Sequence, residues 1–176
     1  MLYLIFDTET TGLPKNYKAP VSDSENWPRA VQLSWQLHDH EGKLIDQKDF
    51  LIKPDGFDIP FQSERVHGIS TALALKEGHE LHEVLQAFEE VILKTDFVVG
   101  QNIDFDLNIM GAEFYRMGVT TALLDKKVLD TCTEQTANFC QLPGGRGGRF
   151  KLPTLSELHR KLFGAEFAEA HNASAD

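Results

Sequence analysis

The chain begins M-L-Y-L-I-F-D-T-E-T-T-G, residues 1–12. An apolar run from Leu2 to Phe6 stops abruptly at two carboxylates, Asp7 and Glu9. Such a run fits a strand buried on both faces, which is at home in the parallel or mixed sheet of an α/β domain. Residues two apart on a strand share a face and lie about 7 Å from each other, so Asp7 and Glu9 project together while Thr8 points the other way. Two carboxylates at the mouth of a buried strand repel each other and resist desolvation unless a cation lies between them. Two readings follow: a divalent-metal site, or two solvated acids capping a strand before a T-T-G turn. The D-x-E spacing by itself does not choose between them.

Length and composition narrow the context. A chain of 176 residues, 41% hydrophobic and 25% charged, fits one soluble domain with a substantial core. No apolar stretch approaches the roughly 18 residues of a membrane span, and Leu2 to Phe6 is too short for a signal peptide. Cys132 and Cys140 make neither a disulfide framework nor a zinc motif, so the expected setting is a reducing cytoplasm. The net charge of −10 argues against a broad basic face that coats nucleic acid. It leaves room for an enzyme that grips a chain end through metal ions and a few donors.

Residues 13–29, with three prolines, read as an irregular surface loop of the length that is often functional or mobile. Val31 to Leu37 alternates apolar and polar, and Leu44 to Ile52 follows a polar turn, so with the first strand they make an antiparallel meander. Short helices are expected at Phe61 to Val66 and, capped by Ser70, through Leu75. Leu81, Leu85, Phe88 and Ile92 keep helical spacing within His79 to Thr95. A buried strand at Asp96 to Gly100 precedes a helix carrying Ile103, Leu107, Met110 and Phe114. A strand at Lys127 to Asp130 and a helix from Thr131 to Cys140 follow. Meander, then strand-helix-strand-helix, indicates an α/β domain. Leu142 to Lys151 is a flexible Gly/Arg loop, read either as a basic strap near phosphates or as plain surface. Thr154 and Glu157 form a capping box for a helix from Leu152 to Phe163.

Two more groups of polar residues stand out. Asp104 and Asp106 open a helix about 200° apart, so only one can face a given site. Asp106 flanks the apolar stripe and is the better buried or ligating carboxylate. Near the end of the chain, His171 and Asp176 lie about 140° apart on an ideal helix and converge only if His171 precedes that helix.

F-D-T-E-T-T-G at Phe6 to Gly12, N-x-x-F-D at Asn102 to Asp106 and H-x-A-x-x-D at His171 to Asp176 occur in that order. They resemble the three motifs of the DEDDh, or DnaQ-like, 3′–5′ exonucleases, a group that includes the proofreading epsilon subunit of bacterial DNA polymerase III. His67 to Ser70, H-G-I-S, resembles a further segment of that family. The resemblance spans essentially the whole chain. It implies a ribonuclease-H-like α/β fold whose five-stranded mixed sheet, flanked by helices, has three antiparallel strands and then two parallel ones. It also implies that Asp7, Glu9, Asp106 and Asp176 bind two Mg²⁺ or Mn²⁺ ions and that His171 is the general base. Thr8, Thr10, Thr11, Gly12, Leu13, Asn102 and Phe105 become candidate contacts to the terminal nucleotide, Phe105 with core packing as the alternative. Gln101 departs from the family, whose proofreading members often have His there.

The expected activity is hydrolysis at a single-stranded or frayed 3′ end of DNA, releasing 5′-mononucleotides in proofreading or repair. An RNA-trimming enzyme of the same family and a non-catalytic replicase module are the alternatives; the complete set of acids with His171 argues against the module. The single domain, 1–176, stops at a proposed metal ligand where a helix is due. That predicts a truncated or longer chain, fused to or bound by a polymerase.

Overall fold

The computed structural model of the chain describes residues 1–165. Its centre is β1 (Leu2–Thr10), which pairs antiparallel with β2 (Ala30–Asp39) on one side and parallel with β4 (Phe97–Gly100) on the other. The edges are β3 (Leu44–Leu51), antiparallel to β2, and β5 (Lys127–Asp130), parallel to β4. The order β3-β2-β1-β4-β5 is the mixed sheet of a ribonuclease-H-like fold, three antiparallel strands and then two parallel.

The helices follow the sequence pattern closely. They are α1 (Phe61–His67), α2 (Thr71–Glu77), α3 (Leu81–Ile92), α4 (Asp104–Arg116), α5 (Glu134–Cys140) and α6 (Leu155–Phe163). Ser70 caps α2 by accepting from the Leu73 amide, and Thr154 with Glu157 forms the expected capping box of α6. His79 lies outside α3: its amide and carbonyl bond to Leu51 and Lys53 beside β3. Extended backbone with partners outcompetes another helical turn there.

The core forms where α3 and α4 lie against the sheet. Phe88 of α3 is fully buried and meets the rings of Phe6, Trp35 and Phe114 at centroid separations of 5.1, 5.3 and 6.5 Å. Leu4 and Phe6 of β1 join this cluster, but the alternate residues do not. Ile5 is 38% exposed, so β1 is buried on one face, and the expectation of burial on both is corrected. The open face is the one that continues through Asp7 and Glu9. Gly100 ends β4 where a Cβ would stand 2.8 Å from the Ile103 side chain and 3.2 Å from the Phe6 carbonyl. Only a residue without a side chain lets the turn into α4 pass so close to the end of β1.

The loop of residues 13–29 is tied down. Asn16 and Asn26 bond to each other through side chain and backbone, Trp27 donates its indole N–H to the Pro20 carbonyl, and Trp27 is 4% exposed. This long loop is thus a packed segment. Among the described residues, no helix is long and apolar enough to cross a membrane.

Candidate active site

Asp7 and Glu9 lie side by side on the open face of β1, opposite Ser34 and Gln32 of β2, both half-buried. Register shifts between Glu9 and Thr10, which bends the chain out of the sheet immediately after the second carboxylate. Thr8 points inward. Its amide (3.1 Å) and its hydroxyl (2.6 Å) both donate to Oδ1 of Asp106, in the first turn of α4. This clamp crosses 98 residues of sequence and fixes Asp106 against the residue between Asp7 and Glu9. Asp106 is 4% exposed, whereas Asp104 is exposed. The helical geometry had selected between them correctly.

Electrostatics mark Asp106 as a site that wants a positive charge. Burial pushes its carboxyl up to about 7, against the bonds from Thr8 and its own amide, and the nearby negative Asp130 adds to the rise. The donor set is all oxygen, which suits Mg²⁺ or Mn²⁺. Among the described residues, no three His, Cys, Asp or Glu side chains are gathered closely enough to hold an ion by themselves. Three of the four carboxylates the motifs call for lie on regular elements, Asp7 and Glu9 on β1 and Asp106 on α4. His171 and Asp176 lie outside the described residues.

The candidate contacts to a terminal nucleotide divide. Thr8 and Thr10 are buried and bonded internally: Thr8 holds Asp106, and Thr10, 9% exposed, donates to the Gly12 carbonyl at 2.8 Å. Their hydroxyls are already spent inside. Thr11 is tied to Arg29 by two bonds of 2.9 Å, one through its amide and one through its hydroxyl. Gly12 is half-buried and Leu13 is 74% exposed, so the surface after Glu9 remains open to a ligand. Asn102 is exposed, with a left-handed φ of 57°. Phe105 packs partly against the core, which favours the packing alternative.

Two carboxylates that support the site, Asp130 and Glu113, were not legible in the motifs. Asp130, at the end of β5, accepts the amides of Asn102 (2.8 Å) and Cys132 (2.7 Å) on Oδ1, and so holds the strained turn that leads into α4. Glu113, 1% exposed and on the same helix as Asp106, accepts from Arg29 Nε and the Ala30 amide at 2.9 Å each. Arg116 stands 3.0 Å from the same carboxylate, out of line for a hydrogen bond, and donates to the Ser24 and Trp27 carbonyls. His67 lies near the Thr10 carbonyl; burial lowers its pKa and that carbonyl partly opposes the shift. Its Nδ1 accepts the Ile69 amide at 3.1 Å. The one available signal was position: Asp130 closes β5, which runs parallel to the strand that carries Asp7.

The sequence profile of the Exonuclease family matches residues 4–176. The chain belongs to the exonuclease family. Among its relatives, the PolC-type DNA polymerase III of Pediococcus pentosaceus is 28% identical over 174 residues, covering 99% of this chain and 10% of that protein. The corresponding polymerase of Streptococcus thermophilus is 31% identical over 129 residues, 73% of this chain and 8% of that protein. Escherichia coli exonuclease I in complex with a dT13 oligonucleotide superposes with a TM-score of 0.76 at 23% identity, covering 99% of this chain and 38% of that one. A zinc-bound form of its complex with single-stranded DNA gives the same TM-score at 24% identity. The chain thus spans a tenth or less of the polymerases and under two fifths of exonuclease I. Membership of this family makes the domain a nuclease of the metal-dependent kind.

Proposed function

We propose that this domain removes nucleotides one at a time from the 3′ end of DNA, with two divalent cations held by Asp7, Glu9, Asp106 and Asp176. The observation that carries the reading is the Thr8 clamp, which holds a buried, cation-demanding Asp106 against the residue between Asp7 and Glu9. Bound Mg²⁺ or Mn²⁺ would polarise the scissile phosphate and acidify a coordinated water. Asp7, on the central strand, and Glu9 two residues on would hold the ions. Asp106 supplies an oxygen whose direction Thr8 sets. His171 would take the proton of the attacking water, a role that suits the imidazole as a residue type at neutral pH. The backbone from Thr11 to Leu13 receives the terminal nucleotide, and Leu13, projecting into solvent, wedges against its base. The names of the polymerase relatives support a replication setting, with proofreading or repair as the task and a polymerase as partner.

The test is a 5′-labelled single strand with Mg²⁺. Progressive shortening from the 3′ end is expected, and a 3′-labelled DNA or RNA strand should release labelled mononucleotide at once if it is a substrate. Asp106→Ala should leave a folded protein whose rate is at least about a hundredfold lower. Unchanged degradation by that variant would refute the assignment. Faster release from RNA than from DNA would replace the substrate.

A further inference from the structure

Beyond the carboxylates lies a cleft of about 770 Å³, bounded by α5 and the Gly/Arg loop. Its lining includes Glu134 and Asn138 of α5, and Arg146, Arg149, Phe150 and Lys151 of the loop. Residues 142–152 contain three cations and no acid in a chain of net charge −10. Around the cleft those three cations face one carboxylate, Glu134. Arg149 pairs with Glu134, but both side chains are more than 70% exposed, and an exposed pair is readily exchanged for a phosphate. Lys151 is held by Glu157 at 2.7 Å, whereas Arg146 forms no ion pair among the described residues. Phe150, 41% exposed, offers a ring face beside these charges. Cations interleaved with an exposed aromatic are what a single strand of nucleic acid uses, phosphates on the one and bases on the other.

The position of the cleft decides its ligand. Strands β1, β4 and β5 are parallel, so their C-terminal ends share one edge of the sheet. The carboxylates stand at the end of β1, and α5 starts just beyond the end of β5, two strands or about 10 Å away. The loop is bolted to the same edge. Its exit carries Pro153, whose carbonyl accepts from Gln101 Nε2 at 2.8 Å, and Gln101 also bonds Thr131. Its two ends are joined by the bond from the Lys151 amide to the Leu142 carbonyl, 2.9 Å. At Gly145 a Cβ would stand 2.4 Å from the Arg149 and Phe150 carbonyl oxygens, so the loop closes on itself only with glycine there.

We propose that this cleft is a second nucleic-acid subsite, which takes the sugar-phosphate chain and bases of a single strand a few nucleotides upstream of its 3′ end. The inference rests on the exonuclease reading for the location of that end. It explains how an acidic domain retains a polyanion between cleavage events. The cleft has the size that holds a nucleotide-scale ligand.

The experiment compares wild type with an Arg146→Ala, Phe150→Ala double variant; both side chains are exposed, so an unchanged melting temperature is the folding control. Fluorescence anisotropy without divalent metal should show the variant binding a long oligothymidylate about tenfold more weakly, with a trinucleotide unaffected. The slope of log affinity against log salt should become shallower by about 0.7, the share of one lost cation. Hydrolysis of the p-nitrophenyl ester of thymidine 5′-monophosphate, too short to reach the cleft, should be unchanged. Equal affinity and slope for the two proteins would overturn the subsite, as would an equal loss on the small ester. A wild type that degrades no strand, yet loses affinity in the variant, would instead overturn the exonuclease reading and leave the subsite standing.

Discussion

Asp106 combines two demands that pull against each other. Its carboxyl titrates at about 7 in the fold against an ordinary 3.8, chiefly because it is buried. Between those values the folded state binds the proton and the unfolded state does not, so stability falls as pH rises through that window. Above pH 7 the full penalty is present, on the order of a few kcal/mol. Asp106→Asn keeps an acceptor for Thr8 and removes the charge. In EDTA at pH 8 this variant should therefore resist denaturant better than wild type, and the advantage should vanish near pH 4, while nuclease activity is lost at both. A variant less stable than wild type at pH 8 would show that the buried charge is already compensated. Asp130 works one step further out. It holds the amides of Asn102 and Cys132, and without it the left-handed turn at Asn102 loses its anchor. Asp130→Ala is expected to lower kcat about tenfold or more, because the turn it anchors leads into the helix that carries Asp106. Asp130→Asn, which can still accept both amides, should recover most of the rate.

At the scale of elements, α4 does more than present Asp106. Glu113, two turns along, gathers Arg29 and Arg116 and through them the packed loop of residues 13–29. Arg29 also lies over the Phe57 ring at 4.4 Å and bonds Thr11, so the network reaches the chain just after Glu9. Glu113→Ala strands two guanidinium groups and should cost about 3 kcal/mol in chemical denaturation. It should also expose Lys15 and Lys18 to trypsin in the native state; protection equal to wild type would mean that the asparagine bonds alone hold the loop. Such coupling explains which parts of the molecule could be read in advance. Helix α3 was legible because Leu81, Leu85, Phe88 and Ile92 repeat at the helical period, and α6 because Thr154 and Glu157 are local partners. Asp106 was legible because helix geometry excludes Asp104 from the same face. Glu113 and Asp130 were not, because a carboxylate's partners 83 or 28 residues away leave no local period or spacing. The open face of β1 was missed for a related reason: an unbroken apolar run does not say whether a second layer covers it.

Considered whole, the molecule is an acidic body built to act on a polyanion. Its net charge of −10 repels a nucleic acid at long range, and on the proposed reading the carboxylates of β1 add to that repulsion at the cleavage site. Under the proposed reading, attraction would be local, supplied by cations held by the carboxylates and by the few basic groups around the Gly/Arg cleft. The same cations must also stabilise the fold, since binding to the native state alone shifts unfolding by mass action. At a Mn²⁺ concentration a hundred times its dissociation constant the gain is about 2.7 kcal/mol. The expected result is a melting temperature that climbs with Mn²⁺ in wild type, whereas Mg²⁺ or Mn²⁺ leaves Asp7→Ala nearly unmoved. Sodium chloride offers the control, because it screens repulsion between exposed charges without occupying the site. Raising it should stabilise wild type and Asp7→Ala by similar, smaller amounts. If the two proteins gained equally from Mn²⁺ as well, the ion would be acting as a general screen, and the pairing of Asp7 with Asp106 in one metal site would have to be abandoned.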